Sequence, residues 1–203
     1  TYEMLSDLIS YLKEKGYNVL ATGEMGIGNT TTSSAVCSVL LDQSVEKVTG
    51  KGAGLTNKDL EHKIEVIRQS IALNKVNADD PLDVLAKVGG LDIAGMAGCY
   101  IGGAALNIPV FIDGFISSVA ALIAIRLVPE CAPYLFPSHC SNEPAGRMIL
   151  DAIGKQPYIF ANMCLGEGTG AVMGFTIADY AFKAYWELPS FEQTNFGTYE
   201  ELN

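Results

Sequence analysis

Short apolar runs alternate with stretches of helical periodicity along this chain, and glycine or proline marks most of the changeovers. Leu5, Leu8, Ile9 and Leu12 share one stripe, so residues 2–15 should form an amphipathic helix that Gly16 ends. Residues 17–21 then read as a first strand, and residues 33–41 as a helix of small side chains packed closely on a sheet. Thr56-Asn57-Lys58-Asp59 resembles a capping box with aspartate in place of glutamate, and Leu60, Ile64, Ile67 and Ile71 follow at helical spacing. Asp80-Pro81 opens a short helix to Val88, which Gly89-Gly90 stops. Residues 91–106 are almost all small or apolar, with Gly95, Gly98, Gly102 and Gly103 at helix-packing intervals, and belong in an interior. Residues 109–114 carry the clearest strand; residues 116–127 are the apolar helix after it, ended by Pro129. Short strands at 134–136 and 158–160 flank a helix at 145–153, and a last helix runs to about Trp186 and closes at Pro189. Alternating short strands and helices predict an α/β fold: a mostly parallel, Rossmann-like three-layer sheet with helices on both faces. Residues 1–190 make up that core, and residues 191–203 form a polar and aromatic tail packed at the periphery. The chain starts with a helix leading into a strand and has no initiator methionine, so a further portion is expected before Thr1.

Composition narrows the choice of partners. With 203 residues, 49% of them hydrophobic, the chain can bury one substantial core. A formal net charge of −10 argues against nucleic acid, which needs a basic face, and against docking on an anionic membrane. No apolar run approaches the ~20 residues of a membrane-spanning helix, and no signal-peptide pattern opens the chain. The five cysteines, Cys37, Cys99, Cys131, Cys140 and Cys164, never form C-x-x-C and sit among small or apolar residues. They read as buried free thiols in a reducing cytoplasm. His62 and His139 are too far apart in sequence to suggest a metal set.

Candidate chemistry gathers first at Gly23-Glu24-Met25-Gly26-Ile27-Gly28-Asn29-Thr30-Thr31-Thr32. A strand, a glycine-rich turn and a helix start in that order make an anion site of backbone N–H groups aided by the helix dipole. From Gly23 to Thr30 the spacing is that of a P-loop, but Asn29 stands where its lysine belongs. Gly26-Ile27-Gly28 begins a dinucleotide fingerprint, yet Thr31 replaces the third glycine. The pattern fits a monophosphate better than a triphosphate or pyrophosphate; a tight turn without a ligand is the alternative. A second glycine-dense loop spans Thr49-Gly50-Lys51-Gly52-Ala53-Gly54, and Lys63 lies at the edge of the apolar stripe that follows, where a lysine is ordinarily solvated. Glu24, Asp113, the segment 138–141 and Glu167 all fall at strand ends, hence on one rim of a parallel sheet. Glu167 sits between glycines at the start of an apolar helix. It is either an acid offsetting the helix dipole or a partly desolvated carboxylate serving as a general base. Ser138-His139 does not indicate a hydrolase, since no G-x-S-x-G elbow is present.

At these residues the chain resembles the nicotinate-nucleotide–dimethylbenzimidazole phosphoribosyltransferase family. The segments 23–31 and 165–171 carry the resemblance, with Gly52-Ala53-Gly54, Lys63-Ile64, Val88-Gly89-Gly90, Ile112-Asp113-Gly114 and Ser138-His139-Cys140-Ser141-Asn142-Glu143-Pro144 between them in family order. It implies transfer of phosphoribose from nicotinate mononucleotide to a ring nitrogen of a benzimidazole, with inversion at the anomeric carbon, in assembly of the cobalamin lower ligand. It further implies Glu167 as general base, Glu24 and Lys63 lining the site, Gly28 and Asn29 binding substrate, and the backbone around Gly26, Gly52, Asp113, Gly114 and Ser141 holding the nucleotide's ribose and phosphate. No metal or organic cofactor is implied. A homodimer is expected, burying part of the apolar surface of the helices at 91–106 and 116–127. Family members are longer, the additional part being N-terminal. Ala145-Gly146 stands where the family usually has Gly-His, which bears on substrate preference more than on reaction class. Two other readings differ in class: a homologue that binds a nucleotide or aromatic base without turnover, and a P-loop-like kinase, against which Asn29 speaks.

Overall fold

The apolar run after Pro109 becomes the central strand of a small parallel sheet. In the computed structural model, which describes residues 2–191, 193 and 194, the strands β1 (Leu20–Ala21), β2 (Val110–Ile112) and β3 (Leu135–Pro137) pair in that order. Leu20 lies opposite Val110, and Phe111 opposite Phe136, all parallel. Strand alternation sends β2 to two different layers. Val110 and Ile112 are fully buried in the main core, whereas Phe111 turns the other way. There it meets Phe175 edge to face at 4.8 Å and stacks on Phe136 at 5.7 Å. The expected three-layer α/β arrangement follows.

One layer is built on α6 (Leu91–Ala105) and α7 (Phe115–Leu127). Phe115 to Ala124 of α7 are all buried, packed by α6, α2 (Asn29–Leu40) and α8 (Gly146–Ala152). The glycines of α6 let backbone approach the sheet: a Cβ at Gly103 would lie 2.5 Å from Val110 Cγ2. At Gly102 a Cβ would lie 2.6 Å from Ile9 Cδ1 of α1 (Tyr2–Glu14). Ile9 is buried, while Leu8, expected on the same stripe, is 47% exposed; the side chain of Leu5 lies outside the described residues. The flank holds α4 (Asn57–Asn74) and α5 (Pro81–Val88) beside α2. Thr56 and Asp59 exchange both bonds of the capping box, at 3.2 and 3.3 Å, and Asp80 caps α5 through Leu82 and Asp83. The other face of the sheet carries α9 (Thr169–Glu187).

Several expectations change. The first strand is shorter than residues 17–21 because Pro109 has no N–H with which to carry the ladder back toward Asn18. Residues 158–160 contribute only a bridge from Ile159 to His139. The helix expected at 33–41 begins at Asn29, directly against the glycine turn. A short helix α3 (Val45–Val48) and a 3-10 turn at Pro129–Tyr134 carried too little periodicity to be read. Cys37 and Cys131 are buried, burial pushing the Cys37 thiol up to about 12, but Cys99 and Cys140 are half-buried and Cys164 is exposed. Beyond Phe191, Gln193 and Thr194, the expected tail lies outside the described residues. No helix among the described residues is long and apolar enough to cross a membrane.

Part of the surplus apolar surface lies away from the helices where the pattern put it, although Leu91 of α6 is exposed. Because α7 is internal, it offers no face to a partner. Val172, Tyr180, Phe182, Tyr185 and Trp186 of α9 are exposed instead, each above 60%. Between the C-terminal half of α9 and the N-terminal end of the sheet runs an apolar groove of about 1060 Å³, lined by Val19, Phe111, Phe136, Phe175, Phe182 and Trp186 among others.

Candidate active site

Parallel strands place their C-terminal ends on one rim, and the chemistry collects there. β1 runs into Thr22-Gly23-Glu24, β2 into Asp113-Gly114, and β3 into Ser138-His139. The Glu167 loop follows no strand of its own; it is hung on the β1 loop. Glu167 N–H donates to the carbonyl of Glu24 at 2.9 Å, and a Cβ on Gly23 would stand 2.5 Å from the nitrogen of Gly168. Glycine at 23 is what lets the two glycine-rich loops touch. Together they wall a cavity of about 530 Å³ lined by Thr22, Gly23, Glu24, Met25, Glu167 and Gly168. The apolar groove is larger but holds Asp179 as its sole carboxylate, so the smaller cavity is the one equipped for chemistry.

Both loops use left-handed glycines, but only the second carries a left-handed non-glycine residue between them. Gly26 and Gly28 have φ of 81° and 84° before α2, while Gly166, Glu167 and Gly168 have 78°, 59° and 81° before α9. Their helix starts differ in what occupies them. Asp113 is 1% exposed; its Oδ2 accepts the N–H of Gly168 at 2.9 Å, and its Oδ1 those of Gly170 and Ala171 at 2.8 and 3.2 Å. Both oxygens are engaged, so the side chain of Asp113 caps α9, and the expectation for the nucleotide rests on the backbone at Asp113–Gly114. No side chain caps α2, whose N-cap is Gly28. The first N–H groups of α2 are therefore the ones open to an anion.

Glu24 is half-buried. It accepts from the N–H of Gly26 and, at 2.8 Å, from Asn29 Nδ2, whose other hydrogen reaches Asp92 Oδ2 at 2.7 Å. Gly26 thus enters with its N–H taken, and the Asn29 amide acts as a clamp between two carboxylates. Burial lifts the Glu24 carboxyl above its ordinary value; the Asn29 and Gly26 bonds oppose that lift, and Asp113 and Asp92 add to it. The Glu167 side chain is exposed, so of its two readings partial desolvation is the one not seen. The left-handed turn that presents it also lifts it clear of neighbouring side chains.

Lys63 is 7% exposed, not solvated, and donates to Thr30 Oγ1 at 2.9 Å and to the Gly50 carbonyl at 3.0 Å. It ties the start of α2 to the second glycine loop, where a Cβ on Gly52 would meet Thr30 Oγ1 at 2.8 Å. Burial lowers its pKa, partly offset by the charge of Glu143, whose own carboxyl burial raises. Ser141 is buried, and its hydroxyl accepts the N–H of Glu143 at 3.3 Å; Gly114 is buried beside the ring of His139. Glu143 and Asp92 were missed as site residues. Glu143 could have been flagged as an acid two places after Ser141 and before Pro144, whereas Asp92 reads only as a helix-start acid. The structure gathers Glu24, Asn29, Asp113 and Glu167 at one rim, and Lys63, Gly52 and Ser141 along a second cluster that meets the first at Thr30.

A parallel α/β sheet with two glycine-rich loops and the carboxylates of Glu24, Asp113 and Glu167 on its C-terminal rim has the features with which such sheets hold nucleotides. A family model described as phosphoribosyltransferase matches residues 3–196. The nicotinate-nucleotide–dimethylbenzimidazole phosphoribosyltransferase of Ruminiclostridium cellulolyticum is 52% identical over 196 residues, 97% of this chain and 56% of that protein. The protein of the same name from Acetivibrio thermocellus is 49% identical over 193 residues, 95% of this chain and 55% of that one. The crystal structure of CobT from Thermus thermophilus superposes with a TM-score of 0.87 at 32% identity, covering 95% of this chain and 57% of that one. The chain belongs to the nicotinate-nucleotide–dimethylbenzimidazole phosphoribosyltransferase family. It spans about half the length of the curated relatives it matches.

Proposed function

We propose that the complete protein to which this chain belongs transfers phosphoribose from nicotinate mononucleotide to a benzimidazole-type base such as dimethylbenzimidazole. The products are nicotinate and α-ribazole 5'-phosphate, used for the cobalamin lower ligand. The observation that carries the proposal is the contact of the two glycine loops through Glu167 N–H and the Glu24 carbonyl, which faces a carboxylate across from an uncapped helix start. The names of the relatives supply the substrates.

In this reading the single phosphate lies at the start of α2, against Gly28, Asn29 and Thr30, with Lys63 bracing Thr30 from below through its 2.9 Å bond. Gly52, Gly114 and Ser141 shape the wall around the ribose. A ring nitrogen of the base attacks C1′ of the ribose. The C1′–N bond to the pyridinium breaks, and its electron pair neutralises the departing nicotinate ring. The proton that the benzimidazole must lose passes to Glu167. The exposed position of Glu167 leaves its carboxylate open to an incoming aromatic base, whose proton it can accept directly. Half-buried Glu24 places negative charge beside the cationic ring and ribose. A carboxylate held up on a left-handed turn favours turnover over binding alone.

The chain's core is assigned to residues 1–190 and the tail to 191–203. The complete protein is assigned as a cytoplasmic homodimer, the free thiols supporting the compartment and the exposed face of α9 supporting a further apolar contact. Replacing Glu167 by Gln tests the base assignment. At saturating substrates, turnover should drop roughly 10²–10⁴-fold while nicotinate mononucleotide affinity stays near that of the parent. Lost affinity with an intact rate would assign Glu167 to substrate positioning and move the base to Glu24.

A further inference from the structure

We infer that Asp113 is a positioning residue for Glu167: it fixes the left-handed loop that presents the general base, and it does not bind the nucleotide. The inference rests on the reading of Glu167 given above. Helix α9 has no side-chain acceptor of its own at the N-cap, since that position is Gly168. The cap comes from β2, fifty-five to fifty-eight residues away along the chain. A carboxylate buried to 1% exposure needs compensation. None of the ion pairs among the described residues involves Asp113. Three charge-assisted bonds from backbone N–H groups and the positive end of the α9 dipole supply that compensation.

What the cap fixes is the direction of one side chain. Glu167 sits at φ 59°, a region that a residue with a Cβ adopts only when its surroundings enforce it. Its own N–H is held by the Glu24 carbonyl at 2.9 Å, and the next N–H, that of Gly168, by Asp113 Oδ2 at 2.9 Å. Thr169 closes the turn through its hydroxyl on the Gly166 carbonyl at 2.7 Å. Release of Gly168 would free the peptide that follows Glu167, and the carboxylate would swing away from the cavity. In Asp113→Asn one oxygen becomes an N–H donor facing backbone donors, so either the Gly168 bond or the Gly170 and Ala171 pair must be lost.

A double-mutant cycle on the complete protein decides it. Asp113→Asn should lower kcat by about 10²-fold, the effect of a displacement of about 1 Å, with KM for nicotinate mononucleotide changed by less than about threefold. In a Glu167→Gln background the same change should do almost nothing, because the base it positions is already gone. Full additivity would overturn the inference, and so would a rise confined to KM, which would restore Asp113 as a nucleotide ligand. If Glu167→Gln alone leaves kcat intact, the base assignment itself falls and takes this inference with it, whereas a slow Glu167→Gln with an additive cycle removes only the inference. Should Asp113→Asn not fold, hydrogen exchange in the unaltered protein gives the answer. The Gly168 amide should be protected despite its place in an exposed loop, and free exchange there would overturn the assignment.

Discussion

Burial outweighs a neighbouring carboxylate at His139, and its sign can be read out. His139 is 2% exposed, and burial lowers its pKa, with the charge of Asp113 opposing the shift. The folded state therefore binds its proton less readily than the unfolded chain does near 6.5. Stability from this residue is complete above that value and is lost as pH falls through it toward the lowered folded pKa. Urea unfolding from about pH 7.5 down to about pH 5.5 should show the parent losing more stability than His139→Gln, by at most about 1.4 kcal/mol per pH unit. Parallel curves for the two proteins would contradict the burial argument. The rim position of Glu24, Gly26 and Gly28 was legible because a strand end, a glycine turn and a helix start are all local signals; Glu167 had only its glycine turn and helix start, since no strand leads into its loop. The capping by Asp113 was not legible, since its three partners lie beyond β3 and the Ile159 bridge in sequence. Lys63 was not legible either: only the fold shows that the edge of its helical stripe turns inward onto Thr30.

At the scale of elements, the glycines of α6 separate two physical roles. A Cβ on Gly95 would meet nothing within 4 Å, so alanine there should stabilise by about 0.5–1 kcal/mol through helix propensity alone. At Gly103 the added carbon would press on Val110 at 2.5 Å and on the Ile108 carbonyl at 3.0 Å, and alanine should destabilise by about 1–3 kcal/mol. Denaturant midpoints of the two variants check both signs; a loss at Gly95 would mean that its face of α6 is not open. The helices were readable because each repeats its period over several turns and most carry a cap or stop in sequence. The strands are two or three residues long, too short for period-two alternation to show, and their ends are set by pairing partners such as Pro109. The second turn of β-structure at 158–160 failed for the same reason: Ile159 alone finds a partner.

The molecule as a whole turns an aromatic face outward along α9. Phe182, Tyr185 and Trp186 are 64–77% exposed beside the apolar groove, more contiguous apolar surface than a folded domain ordinarily leaves to water. The complete protein should sediment as a dimer at tens of micromolar, about the range in which weak dimers form. If α9 lies in the contact, Trp186→Glu should shift it toward monomer; a monomeric parent would contradict the dimer assignment. Sequence pattern foresaw surplus apolar surface but assigned it to α6 and α7 and not to α9, because an unbroken apolar helix looks the same whether its own fold or a partner covers it. The central claim is the transfer itself, and one measurement meets it directly: release of nicotinate from nicotinate mononucleotide by the complete protein, with and without dimethylbenzimidazole. The account predicts release that depends on the added base and matches formation of the α-riboside phosphate one for one. Release at the same rate without the base, or no release with it, would contradict the account.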